Sequence, residues 1–182
     1  RLAELAAEAG IPEGVFNVVQ GFGPGAAGER LTTHPGVNLV TFTGESATGR
    51  IIMGNAAQTL KRVSFELGGK SASIVMADAD LDLAIKGTID GIFRNQGEVC
   101  LAGLRLLVQR EIYDEFLERY VAAAEALVVG DPREPTTQIG PLVSTEHLEK
   151  VLSYIELGQA EGGKLMTGGH RVTDGDLALG NY

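Results

Sequence analysis

The chain has 182 residues, of which 44% are hydrophobic, and its formal net charge is −9. This length and apolar content are sufficient to form a buried core in one or two domains. The acidic balance, with no cluster of Lys and Arg, argues against a nucleic-acid partner, because phosphate binding depends on clustered positive charge. No apolar run approaches the roughly 20 residues of a membrane-spanning helix, and the amino terminus has no apolar signal segment. The sequence therefore predicts a cytoplasmic protein with no membrane partner.

In the first third of the chain, strands are predicted to alternate with helices. The predicted elements are, in chain order, a helix over residues 1–10, a short buried strand over 14–21, a loop leading into a helix over 22–34, a strand over 38–44, a helix over about 46–60 and a strand over 62–68. Two consecutive crossovers of this kind predict parallel strands with helices packed on them.

The pattern of strands and helices starts again after Gly69. The predicted elements are, in chain order, a strand over residues 71–76, an acidic capping run over 78–82, a helix over about 83–93, a strand over 104–109, a helix over 111–129, an ordered loop over 130–141 and a helix over 145–161. The two strand and helix systems meet near Gly68 and Gly69, and we predict a domain boundary there.

Cys100 is the only cysteine of the chain, and it lies in the glycine-bearing run NQGEVCLAG, residues 95–103. A single cysteine excludes an intrachain disulfide, and the three histidines are scattered singly without the spacing of a zinc site. Free cysteine is more often a buried, inert small hydrophobe than a reactive group. The alternative is covalent thiol catalysis, which needs a positioned base. Both interpretations of Cys100 are open at this point.

Glu66 is a candidate for that base, in the run FELGGKS, residues 65–71. It falls at the end of a strand pattern, so its carboxylate is predicted at the carboxyl edge of a parallel sheet, where such folds place ligands. A partly desolvated carboxylate there can act as a general base. The alternative is a solvated strand end whose carboxylate pairs with Lys61 or Lys70.

A third segment, FTGESATG at residues 42–49, lies where a strand is predicted to turn into a helix. The first turn of a helix presents unpaired N–H groups and the positive end of its dipole to an anion. Gly44 and Gly49 would permit the close approach of a phosphate, and Thr43 offers a hydroxyl. Against this, many such turns carry Gly, Ser and Thr only as caps, and the carboxylate of Glu45 competes with a bound anion.

These three segments, in this order and at this spacing, resemble the signature segments of the NAD(P)-dependent aldehyde dehydrogenase superfamily. The likeness extends over essentially the whole chain. It implies an α/β fold in which residues 1–68 are the C-terminal part of a Rossmann-like NAD-binding domain and residues 69–182 are the N-terminal part of the catalytic domain. It further implies a segment of a longer protein that has little or no activity alone, the parent being a homodimer or homotetramer.

The resemblance also implies roles for individual residues. Cys100 matches the nucleophile that forms a thiohemiacetal and then a thioester with an aldehyde substrate, and its backbone N–H matches part of the oxyanion hole. Glu66 matches the base that activates water for hydrolysis of the thioester. The residues expected to contact the cofactor, NAD or NADP, are Thr43, Gly44, Glu45, Leu67 and Gly68. No metal is expected.

Within the superfamily, the chain is most similar to the branch that oxidises muconic semialdehydes in aromatic catabolism. Three positions depart from the commoner residues of the superfamily: Glu45 stands where many members have Ser, Glu98 where Gln is frequent, and Leu104 where a small hydroxylated residue is common. The alternatives are an acylating or acyl-phosphate-reducing relative, against which Glu66 argues, and a noncatalytic binding or structural protein in which Cys100 acts as a redox sensor.

Overall fold

The computed structural model describes all 182 residues, which form two compact units, Arg1–Gly68 and Gly69–Tyr182. Each unit contains one parallel sheet of two strands with helices beside it. The assignment of these units to parts of a cofactor domain and a catalytic domain stays a prediction. No helix of the chain is both long enough and apolar enough to cross a membrane.

The first unit contains three helices and two strands. They are helix α1 (Leu2–Glu8), helix α2 (Ala27–Thr33), strand β1 (Leu39–Gly44), helix α3 (Ser46–Ala57) and strand β2 (Arg62–Leu67). Strands β1 and β2 are parallel, as predicted, and α3 is the crossover between them. These elements lie within a few residues of their predicted bounds.

The predicted buried strand over residues 14–21 was wrong. This segment is irregular, and the side chains of Val15 and Val19 are 70% and 64% exposed. A strand requires a neighbour to pair its backbone N–H and C=O groups, and no strand of the chain pairs with this segment. Valine-rich composition favours a strand but does not supply a partner. The first unit therefore has one crossover between parallel strands, where the sequence predicted two.

Close packing holds α3 against the sheet of the first unit. Gly49 is buried in the first turns of α3, and a β-carbon there would lie 3.1 Å from the side chain of Leu67 on β2. The rings of Phe42 and Phe65 meet edge to face at a centroid distance of 6.4 Å across the two strands. The absence of a side chain at Gly49 thus allows helix α3 to pack closely on strand β2.

The second unit contains strand β3 (Ala72–Val75), helix α4 (Leu81–Phe93), strand β4 (Arg105–Val108), helix α5 (Tyr113–Glu125) and helix α6 (Thr145–Ala160). Strands β3 and β4 are parallel. Helix α4 begins two residues before its predicted start because the carboxylate of Asp80 accepts a hydrogen bond from the backbone N–H of Leu83 at 3.1 Å.

The core of the second unit lies between its sheet and the helices α4 and α5. Its buried side chains are Val75, Ile85, Ile89 and Phe116. The ring of Tyr120 stacks on that of Phe116 at a centroid distance of 5.7 Å. Apolar residues at spacings of three and four positions, the pattern that predicts a helix here, are therefore the residues of α5 that face the core.

Candidate active site

Cys100 lies on an exposed turn in the second unit, just before β4. The backbone N–H of Ala102 donates to the carbonyl of Val99 at 2.9 Å and closes this turn, and Ala102 itself is buried. The expectation that Cys100 is buried is wrong, because this residue is exposed whereas Ala102, two residues later, is buried.

The backbone before Cys100 is held in an unusual conformation. Asn95, Gln96 and Gly97 have φ angles of 51°, 57° and 75°, so three consecutive residues lie in the left-handed region. That region costs a residue with a side chain about 1–2 kcal/mol. Such strain persists only where surrounding contacts hold it, and it is concentrated at functional sites.

Two side chains tie this strained segment to the residues around the start of α6. The amide Nε2 of Gln96 donates to the carbonyl oxygen of Pro141 at 3.2 Å. The carboxylate of Glu98 lies 2.6 Å from Nε2 of His147, which is in the first turn of α6. The segment is therefore held from the side by residues 45 and 49 positions further along the chain.

The chain after Cys100 is anchored to the start of β3. The backbone N–H of Arg105 donates to the carbonyl of Ser71 at 3.2 Å, and its guanidinium Nε donates to the carbonyl of Lys70 at 2.7 Å. Cys100 thus lies at the amino-terminal edge of the second sheet, between a strained segment and a strand.

Glu66 is the penultimate residue of β2 and lies at the carboxyl end of the first sheet, as predicted. The strand register sets it opposite Thr43 and sets Leu67 opposite Gly44. Its carboxylate is exposed and takes part in no ion pair. The alternative pairing with Lys61 is wrong, since that ammonium group is buried and donates to the carbonyl of His34 at 2.7 Å.

The start of α3 lies beside Glu66 at the same sheet edge. Strand β1 ends at Gly44, and Glu45, at the N-cap position of α3, makes no side-chain capping bond to the first turn, which begins at Ser46. The first N–H groups of a helix have no partner within the helix, so this turn offers donors to an anion. Gly68, which follows β2, has open space around its α-carbon. This donor set and open edge fit a ligand that carries phosphates.

The predicted site residues thus fall into two groups, one in each unit. Thr43, Gly44, Glu66 and Leu67 are brought together at one sheet edge of the first unit, with Glu45 and Gly68 next to them in the chain. Cys100 belongs to the second unit. No group of three or more His, Cys, Asp and Glu side chains forms a possible metal site.

Sequence reasoning missed two side-chain contacts that tie residues 96–98 to residues 141–147. His147 was treated as one of three scattered histidines, and Gln96 received no role. The only local signal at His147 is that its backbone N–H is capped by the hydroxyl of Ser144 at 3.2 Å, which marks a helix start and says nothing of Glu98.

Parallel strands, crossover helices and an exposed cysteine that follows a strained segment define an α/β protein with features of an enzyme. The aldehyde dehydrogenase family matches the chain over residues 1–182, and the chain belongs to this family.

Curated relatives of the chain act on different aldehydes, according to their names. The chain is 54% identical over 168 residues to 2-hydroxymuconic semialdehyde dehydrogenase of Pseudomonas sp. (strain CF600), a match that covers 92% of the chain and 35% of the relative. It is 50% identical over 182 residues to betaine aldehyde dehydrogenase of Vibrio vulnificus (strain CMCP6), covering 100% of the chain and 37% of the relative. The chain therefore spans about a third of the length of these relatives.

Solved structures confirm the predicted α/β fold of aldehyde dehydrogenases. HpcC of Thermus thermophilus matches with a TM-score of 0.96 and 50% identity, over 100% of the chain and 36% of that structure. PnpE, known from Pseudomonas sp. WBC-3, matches in its complex with nicotinamide adenine dinucleotide with a TM-score of 0.95 and 45% identity, over 100% of the chain and 37% of that structure.

Proposed function

We propose that the protein carrying this chain oxidises an aldehyde to a carboxylic acid with NAD or NADP, through a covalent intermediate on Cys100. Membership of the aldehyde dehydrogenase family over residues 1–182 carries the proposal. The exposed thiol of Cys100, on a turn that follows a strained segment, supports it at the level of the site. In this proposal Arg1–Gly68 is part of the cofactor domain and Gly69–Tyr182 is part of the catalytic domain.

Cys100 is the nucleophile of the proposed reaction. Its thiolate sulfur attacks the aldehyde carbon, a C–S bond forms, and the carbonyl oxygen of the resulting thiohemiacetal carries the developing negative charge. The backbone N–H of Cys100 donates to that oxygen as part of an oxyanion hole. Loss of a hydride from the same carbon leaves a thioester on Cys100.

Glu66 is the base for the second half of the reaction. Its carboxylate takes a proton from water, and the resulting hydroxide attacks the thioester carbon. The C–S bond then breaks, the carboxylic acid leaves, and the thiolate of Cys100 is regenerated. In support of this role, the carboxylate of Glu66 takes part in no ion pair. A water-activating base also argues against an acylating relative that passes its thioester to another acceptor.

The cofactor is proposed to bind at the sheet edge of the first unit. When bound, NAD or NADP accepts the hydride released by the substrate. The uncapped start of α3 supports a pyrophosphate contact through backbone N–H groups, and PnpE binds nicotinamide adenine dinucleotide within the same fold. The residues proposed to contact the cofactor are Thr43, Gly44, Glu45, Leu67 and Gly68.

The proposed substrate is a semialdehyde of the muconic type. Identity of 54% to a 2-hydroxymuconic semialdehyde dehydrogenase supports it, as does the likeness of the sequence motifs to that branch. Identity of 50% to a betaine aldehyde dehydrogenase makes a cationic aldehyde the second candidate. We further propose that the protein is cytoplasmic and forms a homodimer or homotetramer. Sedimentation of the complete polypeptide tests the oligomeric state.

The experiment compares aldehydes and cofactors in the complete polypeptide that carries these residues. Reduced cofactor is monitored with 2-hydroxymuconic semialdehyde, betaine aldehyde and a simple aliphatic aldehyde, each with NAD and with NADP. We expect the highest kcat/KM with the semialdehyde. Equal or higher kcat/KM with betaine aldehyde would reject the substrate assignment, and no turnover with any aldehyde would reject the proposed function.

A further inference from the structure

The contact between Glu98 and His147 joins the segment that leads to Cys100, residues 95–100, to the first turn of α6. The two residues are 49 positions apart in the chain. The carboxylate Oε1 of Glu98 lies 2.6 Å from Nε2 of His147, and the side chains of His147 and Glu98 are only 34% and 37% exposed. Carboxylate oxygens accept hydrogen bonds, so the ring nitrogen Nε2 of His147 is the donor in this contact.

The histidine side of this contact is firmly held. The hydroxyl of Ser144 caps the first turn of α6 through the N–H of His147, and Leu148, the next residue, is buried. The loop before α6 is tied to the end of the chain, since the N–H of Leu142 donates to the carbonyl of Asn181 at 2.9 Å. The imidazole is thus presented from a fixed helix start.

On the other side of the contact, Glu98 belongs to a stretch of backbone whose left-handed residues need surrounding contacts to hold them. Glu98 follows the three left-handed residues and precedes Cys100 by two positions, so its contact with His147 lies between the strained segment and the cysteine. Its backbone N–H donates to the carbonyl of Asn95 at 2.9 Å, which closes the strained turn locally. Gln96 makes the second tie, to Pro141. Two side chains two residues apart therefore tie the segment to the loop before α6 and to the first turn of α6.

We propose that Glu98 and His147 act as a positioning pair, which holds the turn of Cys100 in the geometry required for attack on the substrate. The proposal rests on the proposed function and deepens it. Neither side chain touches the reacting atoms in this role. Their bond fixes the path of the backbone that carries the sulfur and the N–H of Cys100. Effective positioning matters because a shift of about 1 Å can cost about a hundredfold in rate.

The test compares variants that break the bond with variants that keep it, in the complete polypeptide. Glu98→Ala and His147→Ala remove it, whereas Glu98→Gln keeps an acceptor and His147→Gln keeps a donor. We expect the alanine variants to lower kcat about 10- to 100-fold with little change in KM, and the glutamine variants to retain most of kcat. The double alanine variant should lose no more than either single one, because both changes break one bond.

Matched controls are Glu149→Ala, an exposed carboxylate on α6, and His170→Ala, an exposed histidine far along the chain, and both should keep kcat. If an alanine variant fails to fold, as judged by circular dichroism, His147→Phe replaces it, since phenylalanine fills the space and cannot donate. Unchanged kcat in the bond-breaking variants, or an equal loss in the glutamine variants, would overturn the proposal.

Alkylation of Cys100 by iodoacetamide separates this proposal from the proposed function, because it needs neither aldehyde nor cofactor. We expect the bond-breaking variants to change the alkylation rate and the glutamine variants to leave it near that of the unaltered protein. If the unaltered protein oxidises no aldehyde, the proposed function fails while the alkylation comparison still decides the positioning role. Equal alkylation rates in all variants would count against the positioning pair alone.

Discussion

The thiol of Cys100 is exposed on a turn whose preceding residues, Asn95, Gln96 and Gly97, are left-handed. Only glycine adopts this conformation without a steric cost, so the two residues with side chains are held there by their contacts. At the residue scale, an exposed cysteine thus follows closely on a strained stretch of backbone. Its chemistry can be tested by direct replacement.

Replacement of Cys100 by Ala should abolish aldehyde oxidation by the complete polypeptide. Alanine has no sulfur with which to form the C–S bond to the substrate, and Cys100 is the only cysteine of the 182 residues. We expect kcat to fall by about three orders of magnitude or more, as for loss of a nucleophile in other enzymes. Steady-state formation of reduced cofactor measures the loss, with Ser153→Ala as an exposed control. Retention of more than a few per cent of kcat would exclude Cys100 as the nucleophile.

Glu66→Gln should slow release of the acid and spare the first half of the reaction. An amide cannot take a proton from water, so hydrolysis of the thioester loses its base, and steady-state kcat falls by about 100- to 10,000-fold. A burst of reduced cofactor, equal to one per active site, should persist in rapid mixing. The control is Glu13→Gln, which alters another exposed carboxylate of the first unit. Absence of both burst and turnover would assign Glu66 a different role.

Asp131 provides a test of the surface electrostatics. Side-chain and backbone hydrogen bonds with Arg133 lower the pKa of its carboxyl group to about 2. A pKa lowered in the folded state stabilises that state above the unfolded pKa of about 4, and the contribution is lost as the pH falls through the folded value. Carboxyl-carbon NMR should give a midpoint near 2, which Arg133→Ala should raise toward about 4. An unchanged midpoint in that variant would exclude the arginine as the cause.

At the scale of elements, helices α4 and α5 each combine a local sequence signal with a face packed on the core. Helix α4 starts at the carboxylate cap of Asp80, and α5 directs Phe116 into the core. The spacing of three and four positions between the apolar residues of α5 by itself predicts this face. A helix can be predicted reliably from sequence where its local signal and its packed face agree.

Phe116→Ala should destabilise the second unit more than any surface change on the same helix. Its side chain is 1% exposed and touches the core between α4 and the sheet, so truncation leaves a cavity. We expect a loss of about 3–5 kcal/mol in the free energy of unfolding. Chemical denaturation followed by circular dichroism measures it, and Tyr113→Ala, at a half-exposed position of α5, is the control. A loss no larger than that of the control would show that the core lies elsewhere.

At the scale of the whole molecule, the chain covers about a third of its relatives and leaves apolar side chains of the first unit exposed. Val15, Val18 and Val19 illustrate this, since they lie in the segment that was predicted to be a strand. Contiguous exposed apolar groups favour association with other protein surfaces.

The 182-residue chain should therefore bind a hydrophobic dye such as ANS. Replacing Val15, Val18 and Val19 together by Ser should lower the fluorescence of the bound dye and leave the circular dichroism unchanged. The same replacements at the exposed, separate positions Leu101 and Val143 are the control and should have a smaller effect. Equal fluorescence before and after the triple replacement would show that the dye binds elsewhere.

The order of most strands and helices, their parallel pairing and the family could be read from the sequence. These features depend on local patterns: the period of α5, the cap at Asp80, and the runs around Glu66 and Cys100. A helix makes its backbone hydrogen bonds within itself, and a sequence motif can be recognised without knowing what it contacts. Such features can therefore be predicted without a distant partner.

What depended on distant partners was decided only by the tertiary structure. The segment over residues 14–21 has the composition of a strand but no neighbour to pair with, so it is irregular. The left-handed backbone before Cys100 and the bond of Glu98 to His147 require residues 45 to 49 positions away. Local composition sets what a residue can do chemically, whereas exposure, pairing and strain arise from whichever part of the chain folds against it.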